Sequence, residues 1–366
     1  MSFSADDHRY MALALRLAER GLYTADPNPR VGCVLVQQGQ IVGAGWHEAA
    51  GQPHAEVNAL REAGNRARGA TAYVTLEPCN HHGRTPPCTE ALMAAGVSEV
   101  VAAVVDPFPA NAGCGLERLR AAGITVRTGL MADAARAMNI GFIQRFERGR
   151  PWVRVKLASS LDGLTAGADG QSQWITGPSA RRDVQHWRAR ASALLTGIDT
   201  VLADDPQLNV RLDADQAGPV RQPLRVIADS RGRLPVTARL LECPGPVLVA
   251  SCVAASWQRP GVEWWQVPAD GQRLDLRQLI EGLARRGVNE LHVEAGPTLS
   301  GALMAHGLVD ELLVYQSPVL IGRGRPLLDL PGMEKFADRL HLELIERRSF
   351  GSDWRDRYRV IGAGDP

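Results

Sequence analysis

The sequence predicts an α/β protein of two domains, 1–148 and 149–366. Three observations point to it. β-type apolar runs alternate with amphipathic helical segments through both halves, the pattern of helices packed on a sheet. The chain has 366 residues, two domains' worth at roughly 100–200 residues per domain. Between the halves the polar run FERGRPW closes one alternating series, and WVRVKLASSLDG opens another.

The elements follow in order. Ser4 and Asp7 form a capping-box pair for a first helix through about Arg20. After the Pro-rich loop TADPNPR, VGCVLVQQGQIVGAGWH carries two apolar runs about Gln38 and Gly39 and reads as a β-hairpin. HAEVNALREAGNRA is helical, AYVTL is a buried-type strand, and CTEALMAAG is a helix ending at Gly96. EVVAAVV is a strand, GLERLRAAG and ITVRTGL repeat the helix–strand order, and 131–148 read as one helix. In the second half, VRVKL places Arg154 and Lys156 on one strand face and Val153, Val155 and Leu157 on the other. Helical SARRDVQHWRARA precedes the strands ALLTG, PLRVIAD, GPVLVAS and VEWWQV. A helix from about Leu274 to Arg286, strand ELHVEAG, helix PTLSGALMAHGL and strand ELLVYQSPVLIG complete the series.

Composition narrows the function classes. Hydrophobic residues make up 45% and charged residues 22%, a globular balance. Lys+Arg number 41 against Asp+Glu 40, a net charge of +1, which argues against a broad phosphate-tracking surface for nucleic acid. Lys156 and Lys335 are the only lysines, so each invites a functional question. The apolar stretch near the N-terminus is broken by Arg16, Glu19 and Arg20, unlike a signal peptide or membrane span. The expectation is a soluble cytoplasmic protein. Its six cysteines are then reduced, leaving metal binding or plain burial as their roles.

The strongest chemical signal is His54-Ala55-Glu56, then Pro78-Cys79, eight residues, and Cys88. One imidazole and two thiolates suit Zn²⁺ and leave a fourth tetrahedral position open, the layout of a catalytic zinc site. In H-x-E…P-C zinc deaminases the Glu shuttles protons and is not a ligand, a role that fits Glu56. Pro78 suits the first turn of a helix whose positive end would favour the Cys79 thiolate. The spacing departs from the generic P-C-x-x-C. A closed structural zinc, with His81 or His82 as fourth ligand, is the alternative, as are two buried unliganded cysteines. Cys33, Cys114, Cys243 and Cys252 read as bland.

DPNPRVG at 26–32, GWH at 45–47, HAEVNAL and TLEPCNHHGRTPPC together closely resemble the bifunctional riboflavin-biosynthesis deaminase/reductase family. The long-spaced PC-x₈-C with HGRTPPC inside marks that deaminase branch. The resemblance implies a cytidine-deaminase-like three-layer domain first, with Asn28 and His47 lining a pyrimidine pocket. KLASSLDG, SQWITGPSARRDVQHWRA, TVLADDP and VEAGPTL resemble the family's reductase domain. That resemblance implies a dihydrofolate-reductase-like fold using NADPH. Matches run from about residue 4 to 325. The implied activities are hydrolytic deamination of 2,5-diamino-6-(5-phosphoribosylamino)pyrimidin-4-one, then reduction of the ribosyl group to ribityl.

By the family's pattern, Ala158, Trp174, Thr200, Asp204, Ser230 and Gly296 contact NADPH, while Ser172, Arg188, Leu208, Arg211 and Glu294 face the substrate. The strand–Gly–helix junction at Gly296 either offers free N–H groups to a phosphate or is a simple tight turn between strand and helix. Arg188 and Arg211 suit the substrate phosphate, because Arg presents a planar fork of donors; Arg181, Arg182 and Arg190 read as a solvated helix face. Ser230 and Arg231 are placed to read the cofactor 2′-phosphate. Lys156 either positions or protonates the ribose oxygen, or is a surface strand lysine. The competing classes are a nucleoside or tRNA deaminase and a binding module built on structural zinc. Expected partners are a small phosphorylated pyrimidine, with no nucleic acid and no membrane, and self-association left open.

Overall fold

Ser4 Oγ accepts the Asp7 N–H at 3.1 Å while Asp7 Oδ2 accepts the Ser4 N–H at 2.8 Å. This reciprocal cap starts α1 (Ala5–Glu19) as its sequence predicts. The computed structural model describes residues 2–82, 86–212 and 220–361, divided into two compact units, Met1–Gly149 and Arg150–Pro366.

The first unit continues with β1 (Gly32–Gln37), β2 (Gln40–Trp46), α2 (Ala55–Ala63), β3 (Thr71–Val74), α3 (Cys88–Ala94), β4 (Glu99–Ala102), α4 (Cys114–Ala121), β5 (Thr125–Thr128), α5 (Ala132–Met138) and α6 (Ile140–Arg148). The sheet order is β2-β1-β3-β4-β5. β1 is antiparallel to both neighbours, and β3, β4 and β5 are parallel. Strand period two divides the core. Leu35, Val74 and Val100 face α2, α3 and α4, while Val34, Tyr73 and Val101 face α1, α5 and α6. The result is a three-layer sandwich.

α2 lies very close on β2, and two glycines permit it. A Cβ at Gly43 would stand 2.2 Å from Ala59 O, and one at Gly45 would stand 2.6 Å from Ala55 O. This approach seats His54 and Glu56 at the sheet.

Two expectations are corrected here. The single helix over 131–148 is two helices, because Asn139 Oδ1 accepts the Arg30 N–H at 2.8 Å and its Nδ2 donates to Arg30 O at 2.9 Å. Pro78 does not open a helix; 77–80 are irregular, and α3 starts at Cys88 after Pro87.

The second unit runs β6 (Trp152–Ser159), β7 (Leu164–Gly167), α7 (Pro178–Arg190), β8 (Ala193–Gly197), α8 (Ile198–Asp204), β9 (Leu224–Ala228), β10 (Val247–Ser251) and β11 (Val262–Gln266). It continues with β12 (Ala269–Asp270), β13 (Arg273–Leu274), α9 (Leu276–Arg285), β14 (Glu290–Val293), α10 (Pro297–Ala305), β15 (Glu311–Gln316), β16 (Gly324–Pro326), β17 (Leu342–Phe350) and β18 (Asp353–Val360). Nine strands lie in the order β11-β10-β9-β8-β14-β6-β15-β18-β17. All neighbouring pairs from β11 through β15 are parallel; β18 and β17 join antiparallel.

Here too the structure differs from expectation. ELLVYQSPVLIG stops being a strand at Gln316, just before Pro318, which cannot donate to a ladder. The face of β6 that carries Arg154 is covered at that position. Arg154 is buried, with NH1 3.1 Å from Glu290 and NH2 3.0 Å from Glu311. Arg190, expected in solvent, bonds Glu290 at 2.7 Å. Arg182 is exposed as expected.

Candidate active sites

The first site forms where α2, the 77–80 segment and α3 meet. His54 caps the start of α2 without a side-chain cap bond, so its ring is free to point across to the cysteines. Its Nδ1 stands 3.5 Å from Cys79 Sγ and 3.3 Å from Cys88 Sγ, and all three ligand atoms lie within 4.8 Å of one another. Zinc bonds of about 2.0–2.3 Å in a tetrahedron set N and S ligands roughly 3.5 Å apart. The donor set fits the ion. Cys79 is brought down to about 4 by the hydrogen bond from the Cys88 thiol, with His54 and the Cys88 backbone N–H helping. That N–H, 3.3 Å from Cys79 Sγ, opens α3. The helix start expected at Pro78 thus acts from Cys88.

Glu56 is buried in the first turn of α2. Burial, with the Cys79 charge adding, pushes its carboxyl up to about 7. His47 packs edge-on against His54 at 5.3 Å between ring centroids. Its Nδ1 donates to Pro53 O at 3.2 Å, so its Nε2 accepts from Asn28 Nδ2 at 3.0 Å. Burial lowers the pKa of His47 and favours this neutral ring. Asn28, His47, His54, Glu56, Cys79 and Cys88 therefore converge. Sequence reasoning missed Glu77, whose buried carboxylate gathers the N–H groups of Asp106, Gly113, Gly115 and Leu116 at 2.9–3.3 Å. It anchors the 106–116 loop beside Pro78 and Cys79. Its only sequence signal is its place before Pro78.

In the second unit, Lys156, Arg188 and Glu294 come together. Arg188 grips Glu294 with two bonds, Nε to Oε1 at 2.5 Å and NH2 to Oε2 at 2.8 Å, and gives NH1 to Asn209 O at 3.0 Å. Burial opposes ionisation of Glu294, but the Arg188 guanidinium holds it well below the usual carboxylate range. Burial pushes Lys156 down, with Glu294 opposing and Arg188 adding. Arg211 is exposed, with NH1 bonded to Asn209 Oδ1 at 2.6 Å. Leu208 is buried against Ala191 and Leu194, so any substrate contact from it would be through backbone.

The expected cofactor residues fall into two groups and some singles. Thr200 and Gly296 are neighbours, since a Cβ at Gly296 would lie 3.9 Å from Thr200 Oγ1. Gly296 opens α10 with no side-chain cap, leaving its first N–H groups free for a phosphate. Ser230 and Arg231 line a cavity of about 420 Å³ with Gly197, Arg233, Arg273 and Thr298. Three guanidinium groups and an uncapped helix start fit a phosphorylated dinucleotide. Arg233, Arg273 and Thr298 were not legible in advance, because the turn carrying Arg273 reaches the cavity only in the fold. Trp174 is 70% exposed and lies under the Arg181 guanidinium at 4.6 Å. Ala158 is partly buried on β6, Ser172 lies two residues before Trp174, and Asp204 is exposed at the end of α8.

Residues 4–104 match the cytidine and deoxycytidylate deaminase zinc-binding region, and residues 151–355 match the RibD C-terminal domain. Riboflavin biosynthesis protein RibD of Escherichia coli is 51% identical over 357 residues, covering 95% of this chain and 97% of that protein. The Haemophilus influenzae protein of the same name is 47% identical over 371 residues, covering 99% and 100%. Among solved structures, Acinetobacter baumannii RibD superposes with a TM-score of 0.90 at 46% identity, covering 98% of this chain and 99% of that one. A Thermotoga maritima diaminohydroxyphosphoribosylaminopyrimidine deaminase/5-amino-6-(5-phosphoribosylamino)uracil reductase superposes at 0.88 with 32% identity, covering 97% and 99%. With a zinc-type deaminase site in one unit and a reductase domain in the other, this chain belongs to the RibD family of bifunctional riboflavin-biosynthesis enzymes, which use zinc and NADPH.

Proposed function

We propose that the first unit deaminates 2,5-diamino-6-(5-phosphoribosylamino)pyrimidin-4-one and that the second reduces the ribosyl group of the product. The observation that carries the first step is the meeting of His54, Cys79 and Cys88 beside a buried Glu56. Zinc, held by those three residues, supplies the Lewis acidity that readies water for attack. Hydrolysis replaces the amino group by oxygen and releases ammonia, so protons must move from water to the ring and the amine. Glu56, near neutrality in its protonation, is suited to take and return them. Asn28 and His47 orient the pyrimidine edge. Ammonia release from the diaminopyrimidine tests this step, and its absence from a zinc-replete protein would reject it.

In the second step a hydride adds at the anomeric carbon, the bond to the ring oxygen breaks, and that oxygen takes one proton. NADPH supplies the hydride. Lys156 gives the proton, and its lowered pKa makes the ammonium a readier donor. Glu294 and Arg188 orient the ribosyl hydroxyls, and exposed Arg211 meets the phosphate. Ser230 and Arg231 read the cofactor 2′-phosphate. Arg231→Ala lowers the preference for NADPH over NADH by about 5–150-fold, the worth of roughly 1–3 kcal/mol of charge-assisted hydrogen bonding. Steady-state rates with both cofactors check it; an unchanged ratio would move the role to Arg233 or Arg273. A cytoplasmic location belongs to the same reading, since it suits a phosphorylated substrate and NADPH.

The same reading includes self-association through β17. This nine-residue strand ends the large sheet, is exposed over most of its length, and carries exposed Leu342, Leu344 and Ile345. A free strand edge can pair with another strand. An antiparallel copy about a twofold axis would bring Glu343 against Arg347 or Arg348, a self-complementary arrangement. Sedimentation should give a dimer at micromolar concentration, and Leu342→Glu with Leu344→Glu should give a monomer. A monomeric wild type, or a dimeric variant, would reject the interface.

A further inference from the structure

Strand β14 and the residue that follows it alternate Glu290, His292 and Glu294 with the core residues Leu291 and Val293. His292 is fully buried, and among the described residues neither ring nitrogen makes a hydrogen bond. Such a group carries a desolvation cost that an apolar side chain would avoid, so its presence calls for a reason. Its surroundings supply one. His292 Nε2 stands 3.5 Å from Glu294 Oε1, near but outside hydrogen-bond geometry. Arg154 on β6 is its register partner. Burial lowers the pKa of the ring, and the Arg154 and Arg188 charges act the same way against Glu294. The imidazole is therefore neutral and holds one N–H to donate.

Both Glu294 oxygens are taken by Arg188. A substrate whose polar groups draw on Arg188 would loosen that grip and leave a buried carboxylate short of partners, a costly state. We infer that His292 is a positioning residue of the reductase unit, closing its short gap to Glu294 Oε1 and holding the carboxylate in place when substrate engages Arg188. This rests on the proposed substrate roles of Arg188 and Glu294. It accounts for a polar side chain at a core position without giving His292 any contact with the reacting atoms.

The test uses the full chain with already deaminated substrate. His292→Phe fills the site but cannot donate; His292→Gln offers an amide N–H near the position of Nε2. We expect His292→Phe to lower kcat for reduction tenfold or more, with NADPH binding and deamination unchanged. His292→Gln should recover kcat to within threefold. NADPH binding, followed by fluorescence, shows that the second unit is folded; His292→Leu replaces the Phe variant should the larger ring fail that check. Equal loss in the Gln and Phe variants, or full kcat in the Phe variant, would overturn the inference. Glu294→Gln separates the two levels: full reduction there would reject the underlying reading of Glu294. Loss in Glu294→Gln with none in His292→Phe would reject His292 alone. In the Glu294→Gln background, His292→Phe should cost nothing more.

Discussion

Glu56→Gln loses deamination by about 10²–10⁴-fold, the scale of positioned acid–base catalysis, and keeps reduction of deaminated substrate near normal. The substitution preserves shape and hydrogen-bonding reach. What it removes is the ability to take a proton and give it back. Glu56 sits in the first turn of α2, buried, two residues from His54, and is pushed up to about 7 chiefly by burial. It is no ligand in the proposed arrangement, so zinc content should remain at one ion per chain. Ammonia release and NADPH oxidation, measured separately on the purified variant, check both halves. An active deaminase would remove Glu56 from the mechanism. Loss of both activities in a folded, zinc-replete chain would reject independent sites.

The first site was legible because its chemistry is local in sequence. His54 and Glu56 share one helix start, and Cys79 and Cys88 lie nine positions apart, so residue type and spacing single out the group that the fold brings together. The capping box at Ser4 and Asp7 was legible for the same reason, since its partners lie three residues apart. The Asn139 break was not, because its cause is Arg30, 109 residues away in sequence. Period two placed Arg154 and Lys156 on one face of β6, and they are on one face. The pattern could not show that Glu290 and Glu311 wait there on the two neighbouring strands, turning a polar face into a buried ion cluster.

The residues expected at the reductase site divide the same way. Arg188 was expected as a phosphate ligand, yet the fold brings Glu294 from 106 residues away and engages the guanidinium with it. Arg211, expected in the same role, is exposed and bonds Asn209 Oδ1 at 2.6 Å. β17 and β18 went unread because LELIERRSF and DWRDRYRV are rich in charge and contain no buried-type run. Their order comes from antiparallel pairing at the sheet edge, β18 to β15 and β17 to β18. A motif reports groups that chemistry needs close together; it says little about groups that only a register brings close.

Cys88→Ser loses most of the zinc and, with it, deamination, while reduction persists. The His54 nitrogen already stands 3.5 and 3.3 Å from the two sulfurs, near the spacing a tetrahedral ion requires, and Cys88 is fully buried, so no solvent-side group can replace its sulfur cheaply. A serine oxygen is a shorter, harder and far less acidic ligand than a thiolate. The rival reading, a closed structural zinc with His81 or His82 as fourth ligand, meets the positions of those two rings. His82 is 72% exposed with Nε2 3.9 Å from Glu90, and the His81 ring packs edge-on against Phe108 at 5.5 Å. Neither is drawn into the His54–Cys79–Cys88 group. His81→Ala and His82→Ala should therefore retain zinc fully, which a closed four-ligand site forbids. Metal analysis of the three variants decides it. Full zinc in Cys88→Ser would show that Cys88 is not a ligand, and zinc loss in either histidine variant would make the site structural rather than catalytic.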